Sequence, residues 1–135
     1  MTREQIEVMP AGEAIDEMIA GRLFGIVKCS GHEPVDCPNQ FNHAAFKCKK
    51  CGAFKWASDN RWQEKIEIPC YSTDIAAAWE VVEKFTKDKI DVNVQYLFEG
   101  ECDNGVDWNC LIGESMLEAD TAPLAICRAA LLTTL

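Results

Sequence analysis

Residues 29–52 read CSGHEPVDCPNQFNHAAFKCKKCG, and this stretch decides how the rest of the chain is organised. Cys29 and His32 stand three positions apart, as do Cys48 and Cys51, and fifteen residues separate the two pairs. Two pairs with this spacing predict a tetrahedral Zn²⁺ site of three thiolates and one imidazole. Because four protein ligands leave no coordination position for a catalytic water, we expect the ion to be structural.

The same stretch contains two rival ligands and little apolar material. Cys37 or His43 can replace His32 as the fourth ligand, and the sequence alone leaves that alternative open. Few large apolar side chains are present to offset the entropy lost when such a segment becomes ordered. Metal binding can supply the missing free energy, on the order of 10 kcal/mol in small zinc modules. We therefore expect residues 29–58 to form a zinc-binding insertion, similar to a zinc ribbon, within one domain over residues 1–135.

On both sides of this insertion the chain shows helical and extended patterns. Apolar residues recur every three to four positions where we expect helices, and they alternate with polar residues where we expect strands. The two longer strands follow one another and predict an antiparallel hairpin. In chain order, the predicted elements are a helical turn at 3–8, a helix at 11–24, a ribbon of two strands at 26–28 and 53–57, a helix at 72–87, strands at 90–98 and 106–112, and a last helix capped by Asp120 or Thr121.

The helical patterns also assign individual side chains to the core or to the solvent. In the helix over residues 11–24, Asp16 falls on the polar side, away from Ile15 and Ile19. In the helix over residues 72–87, the apolar stripe includes Trp79. We therefore expect Asp16 to be exposed and Trp79 to be buried between its helix and the sheet.

Three motifs outside the insertion carry a family resemblance. They are MPAG at residues 9–12, YSTDIAAAW at residues 71–79 and ADTAPLAICRAAL at residues 119–131. These motifs resemble the phage ABA sandwich domain, a family of small proteins from bacteriophages and prophages. The resemblance covers nearly the whole chain and implies an α+β fold, an α-β-α sandwich with a small antiparallel sheet, together with a phage origin. It implies little about activity, because the family as a whole has no established function.

The composition excludes several classes of protein. No run approaches the roughly 18 apolar residues of a membrane span, and the polar start of the chain has no apolar signal core. We therefore expect a protein of the bacterial host cytoplasm, with no membrane partner. The eight cysteines are then reduced rather than disulfide-bonded. Outside the insertion, Cys110 and Cys127 fall on apolar faces and are predicted to be small buried hydrophobes.

Charge is distributed unevenly along the chain. The net charge is −9, which argues against tight binding to a bare nucleic-acid backbone. Residues 29–58 nevertheless carry four lysines against two acidic residues, a net of +2, so the rest of the chain carries −11. We call residues 29–58 the basic knuckle; its four lysines are Lys47, Lys49, Lys50 and Lys55.

Two polar clusters stand at predicted helix starts. Tyr71–Asp74 and Asp120–Thr121 supply side chains that cap helices, and the simplest interpretation of both is capping alone. If both helices start at one edge of the sheet, the caps border a shared pocket with Arg128. The sequence contains no nucleophile elbow and no phosphate-binding glycine loop, so we assign no catalytic residue and no cofactor besides Zn²⁺.

These observations favour a small non-enzymatic protein that acts by binding a host protein or a small ligand. The alternative is a nucleic-acid-associated zinc-ribbon module that uses the basic knuckle to contact phosphates. An enzyme is the third hypothesis, and the sequence does not set the oligomeric state.

Overall fold

The computed structural model describes residues 1–29, 31–36, 45–51, 53–56, 61–63, 67–97 and 107–135. Contacts divide the chain into two compact units: unit 1 is Met1–Ile26 with Ile68–Leu135, and unit 2 is Val27–Glu67. The predicted insertion at residues 29–58 falls within unit 2, and its boundaries stay a prediction. Within the described residues the elements are α1 (Arg3–Glu7), α2 (Glu13–Phe24), β1 (Pro34–Asp36), β2 (Ala45–Cys48), β3 (Phe54–Trp56), α3 (Ile75–Lys87), β4 (Val92–Tyr96), β5 (Trp108–Ile112), β6 (Ser115–Ala119) and α4 (Ala122–Leu132).

Helix α4 is the centre of unit 1. Nine of its eleven residues are buried, and it contacts the strands β4, β5 and β6 as well as the other three helices of the unit. A helix that is apolar on all sides must be covered on all sides, and alanines such as Ala125 and Ala129 let the neighbours approach closely. Neither α4 nor any other helix that the structure describes is long and apolar enough to cross a membrane.

Strands β4, β5 and β6 form an antiparallel sheet in that order. The register places Val94 opposite Cys110 and Cys110 opposite Leu117, and all three side chains belong to or pack against the core cluster of unit 1. The predicted hairpin is confirmed as β4 and β5, with shorter strands than expected, whereas β6 was not predicted. The predicted fold class, an α+β sandwich with a small antiparallel sheet and an inserted zinc-ribbon-like loop, is confirmed.

Helix α3 presents a different face to the core from the one predicted. Its buried residues are Ala77, Ala78, Val81, Val82 and Phe85. Trp79 is 51% exposed, so the prediction that it is buried is wrong. The physical reason is helix geometry: the buried stripe follows Ala78, Val82 and Phe85, and Trp79 lies about 100° around the helix from Ala78, outside that stripe.

The structure of helix α2 corrects the prediction that Asp16 is exposed. It begins at Glu13, two residues later than predicted, and ends at Phe24, after which Gly25 adopts the left-handed conformation that favours glycine. Asp16 is only 5% exposed, so the prediction that it faces solvent is wrong. Its carboxylate accepts a hydrogen bond from the Ser72 backbone N–H at 2.7 Å, which offsets the cost of burying it.

Unit 2 contains a three-stranded antiparallel sheet in the order β1, β2, β3. Its register pairs Val35 with Lys47 and Lys47 with Phe54. The predicted strand at 53–57 is confirmed in its central part, whereas residues 26–28 form no strand. The strand that pairs with β2 beside the predicted ligands is β1 instead, and its residue Pro34 lies opposite Cys48.

Candidate metal centre

The turn between β2 and β3 holds the second pair of predicted ligands. Cys48 is the last residue of β2, and its backbone N–H donates to the Ala53 carbonyl at 2.8 Å, which closes the turn. The Ala53 backbone N–H in turn lies 3.5 Å from Cys51 Sγ. Backbone donors that point at sulfur in this way are typical of a metal-binding knuckle, because they stabilise the thiolate form of cysteine.

The first pair of ligands is brought to the knuckle by strand pairing. Strand β1 begins just after His32, and its first residue lies opposite Cys48 in the register. The Lys49 backbone N–H donates to the Glu33 carbonyl at 2.9 Å and extends this ladder. Sheet hydrogen bonds at Glu33 and Pro34 therefore place the neighbouring His32 close to the other pair.

The four predicted ligands lie together. One ligand atom from each of Cys29, His32, Cys48 and Cys51 lies within 4.8 Å of every other. Cys29 Sγ is 3.8 Å from Cys48 Sγ, and Cys51 Sγ is 3.4 Å from His32 Nδ1. This arrangement can hold a metal ion. The rival ligands Cys37 and His43 lie outside the described residues, so that alternative stays open.

The electrostatics of the cluster favour thiolate at Cys48. Burial raises the pKa of the Cys48 thiol, but hydrogen bonds from the Cys51 backbone and the His32 ring outweigh it and lower the pKa to about 5. At Cys51, the hydrogen bond from the Ala53 N–H lowers the pKa of the thiol. Burial and the neighbouring sulfurs raise it by a larger amount, so the pKa of Cys51 lies above its ordinary value. The surroundings therefore favour the thiolate at Cys48 and the thiol at Cys51, and a bound cation would favour the thiolate at both.

The imidazole has an aromatic neighbour, and a lysine lies over that aromatic ring in turn. The His32 ring stacks on Trp62 with centroids 4.6 Å apart, and Lys55 Nζ lies 5.2 Å from the Trp62 ring and 5.8 Å from the Phe46 ring. Trp62 therefore limits the orientations open to the imidazole. Sequence reasoning missed this role because Trp62 lies in a stretch without helical or strand periodicity.

A salt bridge occupies one of the four knuckle lysines. Lys50 Nζ lies 3.0 Å from the Glu33 carboxylate, and the hydrogen bond and charge of Glu33 raise the pKa of Lys50. Lys55 lies over two rings, as stated above. Among the residues that the structure describes, Lys47 and Lys49 are exposed and make neither a salt bridge nor a contact with an aromatic ring.

The two polar clusters at helix starts are caps. The Asp74 carboxylate accepts from the Ala76 N–H at 2.8 Å at the start of α3. Thr121, the second of the two residues predicted for this place, accepts from the Leu124 N–H at 3.4 Å at the start of α4. Both use the capping chemistry that the sequence predicts, in which a side-chain oxygen satisfies an unpaired backbone donor.

Two further polar residues of the three motifs, Ser72 and Arg128, bind backbone groups. Arg128 donates from Nε and Nη2 to the Met9 carbonyl at 3.1 and 2.7 Å, and from Nη1 to the Glu118 carbonyl at 3.0 Å. The Ser72 hydroxyl accepts from the Gly12 N–H at 2.9 Å. These hydrogen bonds hold chain segments together. The Arg128 guanidinium therefore donates to backbone carbonyls and does not line the shared pocket that the sequence suggested.

A cleft of about 520 Å³ lies on unit 1 between the end of α2 and the exposed side of α3. Small-molecule sites commonly have a similar volume, but their lining is mostly apolar with a few convergent polar groups. Here the lining is mostly charged, with both signs present, and Lys84 Nζ lies 5.9 Å from the centroid of the Phe24 ring. The lining residues are Phe24, Glu80, Glu83, Lys84, Lys87 and Asp88.

Comparison with known proteins supports the family resemblance noted in the sequence. The sequence model of a protein family described as the phage ABA sandwich domain matches residues 18–131, which is most of the chain. No curated protein and no solved structure matches.

Proposed function

The chain belongs to the phage ABA sandwich family, and from this premise we propose that it is a zinc-binding accessory protein that acts by binding a host protein. The observation that carries the proposal is the four-ligand cluster in unit 2. Zinc organises this unit, and the organised unit presents the side chains that the partner contacts. In a variant of the same proposal, the bound partner is a small ligand instead of a host protein.

The spacing of the ligand atoms supports zinc as the ion. A tetrahedral Zn²⁺ with bonds of about 2.3 Å to sulfur holds two sulfur atoms about 3.8 Å apart. The distance between Cys29 Sγ and Cys48 Sγ is 3.8 Å. A sulfur and a nitrogen ligand lie about 3.6 Å apart in the same geometry, and Cys51 Sγ and His32 Nδ1 lie 3.4 Å apart. Three thiolates and one imidazole are also a donor set that zinc prefers.

The use of the other reactive side chains supports binding over catalysis. Asp16 and Arg128 are committed to backbone groups. Burial raises the pKa of the Cys110 and Cys127 thiols, so both remain protonated and unreactive at neutral pH. A set of four protein ligands also keeps a structural ion closed to water. Reduced cysteines of this kind suit the cytoplasm of a bacterial host.

One face of the unit 2 sheet offers a contact surface. Val35 is 43% exposed and lies opposite the exposed Lys47, which lies opposite the half-buried Phe54. Because opposite residues in an antiparallel sheet share a face, these three side chains form one row across the strands. An apolar residue, a cation and an aromatic ring in one row provide a mixed surface of the kind found at protein interfaces.

The proposal is tested by affinity capture from host lysate, followed by reconstitution with the purified partner. Wild-type protein should retain one specific host protein, and Cys48→Ser should lose it together with zinc. Cys70→Ser is the matched control, because Cys70 is an exposed free thiol outside the ligand cluster, and it should retain both. A partner that binds equally well to the zinc-free Cys48→Ser protein contradicts the proposal.

The second candidate function is binding to single-stranded nucleic acid by the same row of side chains. The observation that favours it is the ring pair beside Lys47: Phe54 and Trp56 lie 4.9 Å apart, edge to face, on that side of the sheet. Both rings are half-buried, and their accessible faces can stack on bases while Lys47 contacts a phosphate. Retention on an oligonucleotide that falls with salt and with Lys47→Ala supports this function, whereas salt-independent behaviour excludes it.

A further inference from the structure

The two edges of the unit 1 sheet differ in how they are protected. At the β6 edge, Arg3 Nη2 donates to the Met116 carbonyl at 3.3 Å and Arg128 Nη1 donates to the Glu118 carbonyl at 3.0 Å. Edge strands are otherwise templates for pairing with another chain. The two guanidinium groups occupy the acceptors that an incoming strand would need.

The β4 edge has no comparable protection within the described residues. Alternate residues of β4 bond to β5, and the Gly113 N–H extends that ladder by donating to the Asp91 carbonyl at 2.9 Å. The N–H and C=O groups of Val92 and Val94 therefore point to the open edge, where no described group bonds to them. The strand reads VNVQY and has neither a charge nor a proline, the usual devices against edge pairing.

We propose that β4 pairs antiparallel with β4 of a second copy of this chain, about a two-fold axis at Asn93. In this register Val92 lies opposite Val94 of the second copy, and their free backbone groups form four hydrogen bonds. Asn93 lies opposite Asn93 on the exposed face. Apolar residues thus face apolar residues, and amides face amides. A shift of one residue places Asn93 opposite Val94 and loses this match.

Helix α3 adds a second contribution to the same interface. Because α3 contacts β4 and α4, whereas α4 lies mainly over β5 and β6, α3 is the helix nearest the open edge. A two-fold axis perpendicular to the sheet keeps the α3 helices of both copies on one face as neighbours. α3 exposes Ile75 and Trp79, which are 52% and 51% exposed. Pairing at β4 brings these apolar side chains close to a second copy.

The test uses the full-length zinc-loaded protein and measures its mass in solution by sedimentation over a wide concentration range. Wild-type protein should reach twice the chain mass. Asn93→Lys and Asn93→Asp each bring two like charges about 4.5 Å apart at the Cα level across the axis, so each variant alone should remain a monomer. A mixture of the two variants places opposite charges there and should restore the dimer. Circular dichroism establishes that each variant is folded.

The control is Asn109→Lys, because Asn109 lies on the same sheet face but on the central strand β5. This variant should dimerise like the wild type. A wild-type monomer at the highest concentration, a dimer that survives Asn93→Lys, a mixture that stays monomeric, or loss of the dimer in Asn109→Lys would each overturn the proposal.

Discussion

The Asp16 carboxylate accepts a 2.7 Å hydrogen bond from the backbone N–H of Ser72, fifty-six residues away in the chain. The Ser72 hydroxyl accepts from the Gly12 N–H at 2.9 Å. Asp16 is 5% exposed and Ser72 is fully buried. The start of α2 and the turn before α3 are therefore joined by a short polar network inside the core of unit 1.

Removal of this network should destabilise unit 1. Asp16→Ala leaves the buried Ser72 N–H without its acceptor, so we expect the free energy of unfolding to fall by about 1–3 kcal/mol. Glu114→Ala removes an exposed carboxylate from a turn and should change it by less than about 0.5 kcal/mol. Urea denaturation followed by circular dichroism measures both. Equal effects of the two substitutions would show that the Asp16 bond contributes nothing.

Trp79 should contribute little to the stability of the monomer. Its side chain is half exposed, whereas Phe85 on the same helix is 7% exposed. Trp79→Ala should therefore cost less than about 1 kcal/mol, and Phe85→Ala about 3–5 kcal/mol. Urea denaturation at low protein concentration makes the comparison in the monomer. A larger loss for Trp79→Ala than for Phe85→Ala would place the indole in the core.

The contrast between α3 and the metal cluster explains what the sequence could predict. The Cys–His pairs depend on local spacing, so their convergence was predictable from residues 29–51 alone. On α3, helical periodicity fits both a stripe through Trp79 and one through Val81, and only packing against α4 selects the second. The residue pattern within α3 does not reveal which of its faces α4 will cover.

Strand β6 and Asp16 were missed for related reasons. The sequence SMLEA of β6 contains Glu and Ala, which are depleted in strands, and the segment becomes a strand through its pairing with β5. Asp16 resembles a solvent residue of an amphipathic helix until its distant partner Ser72 is known. Both depend on contacts with another segment, the neighbouring strand β5 for β6 and the distant Ser72 for Asp16, which the pattern within one segment does not reveal.

Unit 1 should lose stability at alkaline pH through its buried thiols. Burial raises the pKa of Cys110 to about 12, whereas the pKa of a cysteine in an unfolded chain is about 8.5. Between these values the unfolded chain binds fewer protons than the folded one, so the free energy of unfolding falls as pH rises. The contribution of Cys110 is fully present below about pH 8.5 and is lost toward pH 12.

Cys110→Val isolates this effect, because valine has a similar volume and does not titrate. The loss of stability between about pH 8 and about pH 10 should be smaller in the variant, by up to about 1.4 kcal/mol per pH unit. Urea denaturation at the two pH values measures the difference. Identical pH slopes in the two proteins would mean that the Cys110 thiol ionises as readily in the folded as in the unfolded state.

Purified protein should contain about one zinc ion per chain, as a four-ligand site requires. Cys48→Ser or Cys51→Ser should lose the ion and increase hydrogen exchange in β1, β2 and β3. Unit 1 should keep its exchange protection, because none of its core residues comes from residues 27–67. Elemental analysis and hydrogen exchange provide the two readouts. Unchanged protection of unit 2 in metal-free wild-type protein would contradict the prediction.

The last prediction concerns the identity of the fourth ligand. His32 Nδ1 lies 3.4 Å from Cys51 Sγ, so His32→Ala should weaken zinc binding, while His43→Ala should leave the affinity unchanged. A metal-bound imidazole must be neutral, and protons therefore compete with zinc as the pH falls below about 6. His32→Ala should remove most of this acid sensitivity, because the thiolates alone then determine it.

Competition with a chelator at several pH values measures the affinity of each variant. Cys37→Ser completes the set, because Cys37 is the rival that would give a site of four thiolates. If zinc is lost from Cys37→Ser and remains tightly held in His32→Ala, the site contains four cysteines and the His32 assignment is wrong. If His32→Ala loses affinity and Cys37→Ser does not, the imidazole is the fourth ligand, and the stacking of Trp62 on it at 4.6 Å orients a metal-bound ring.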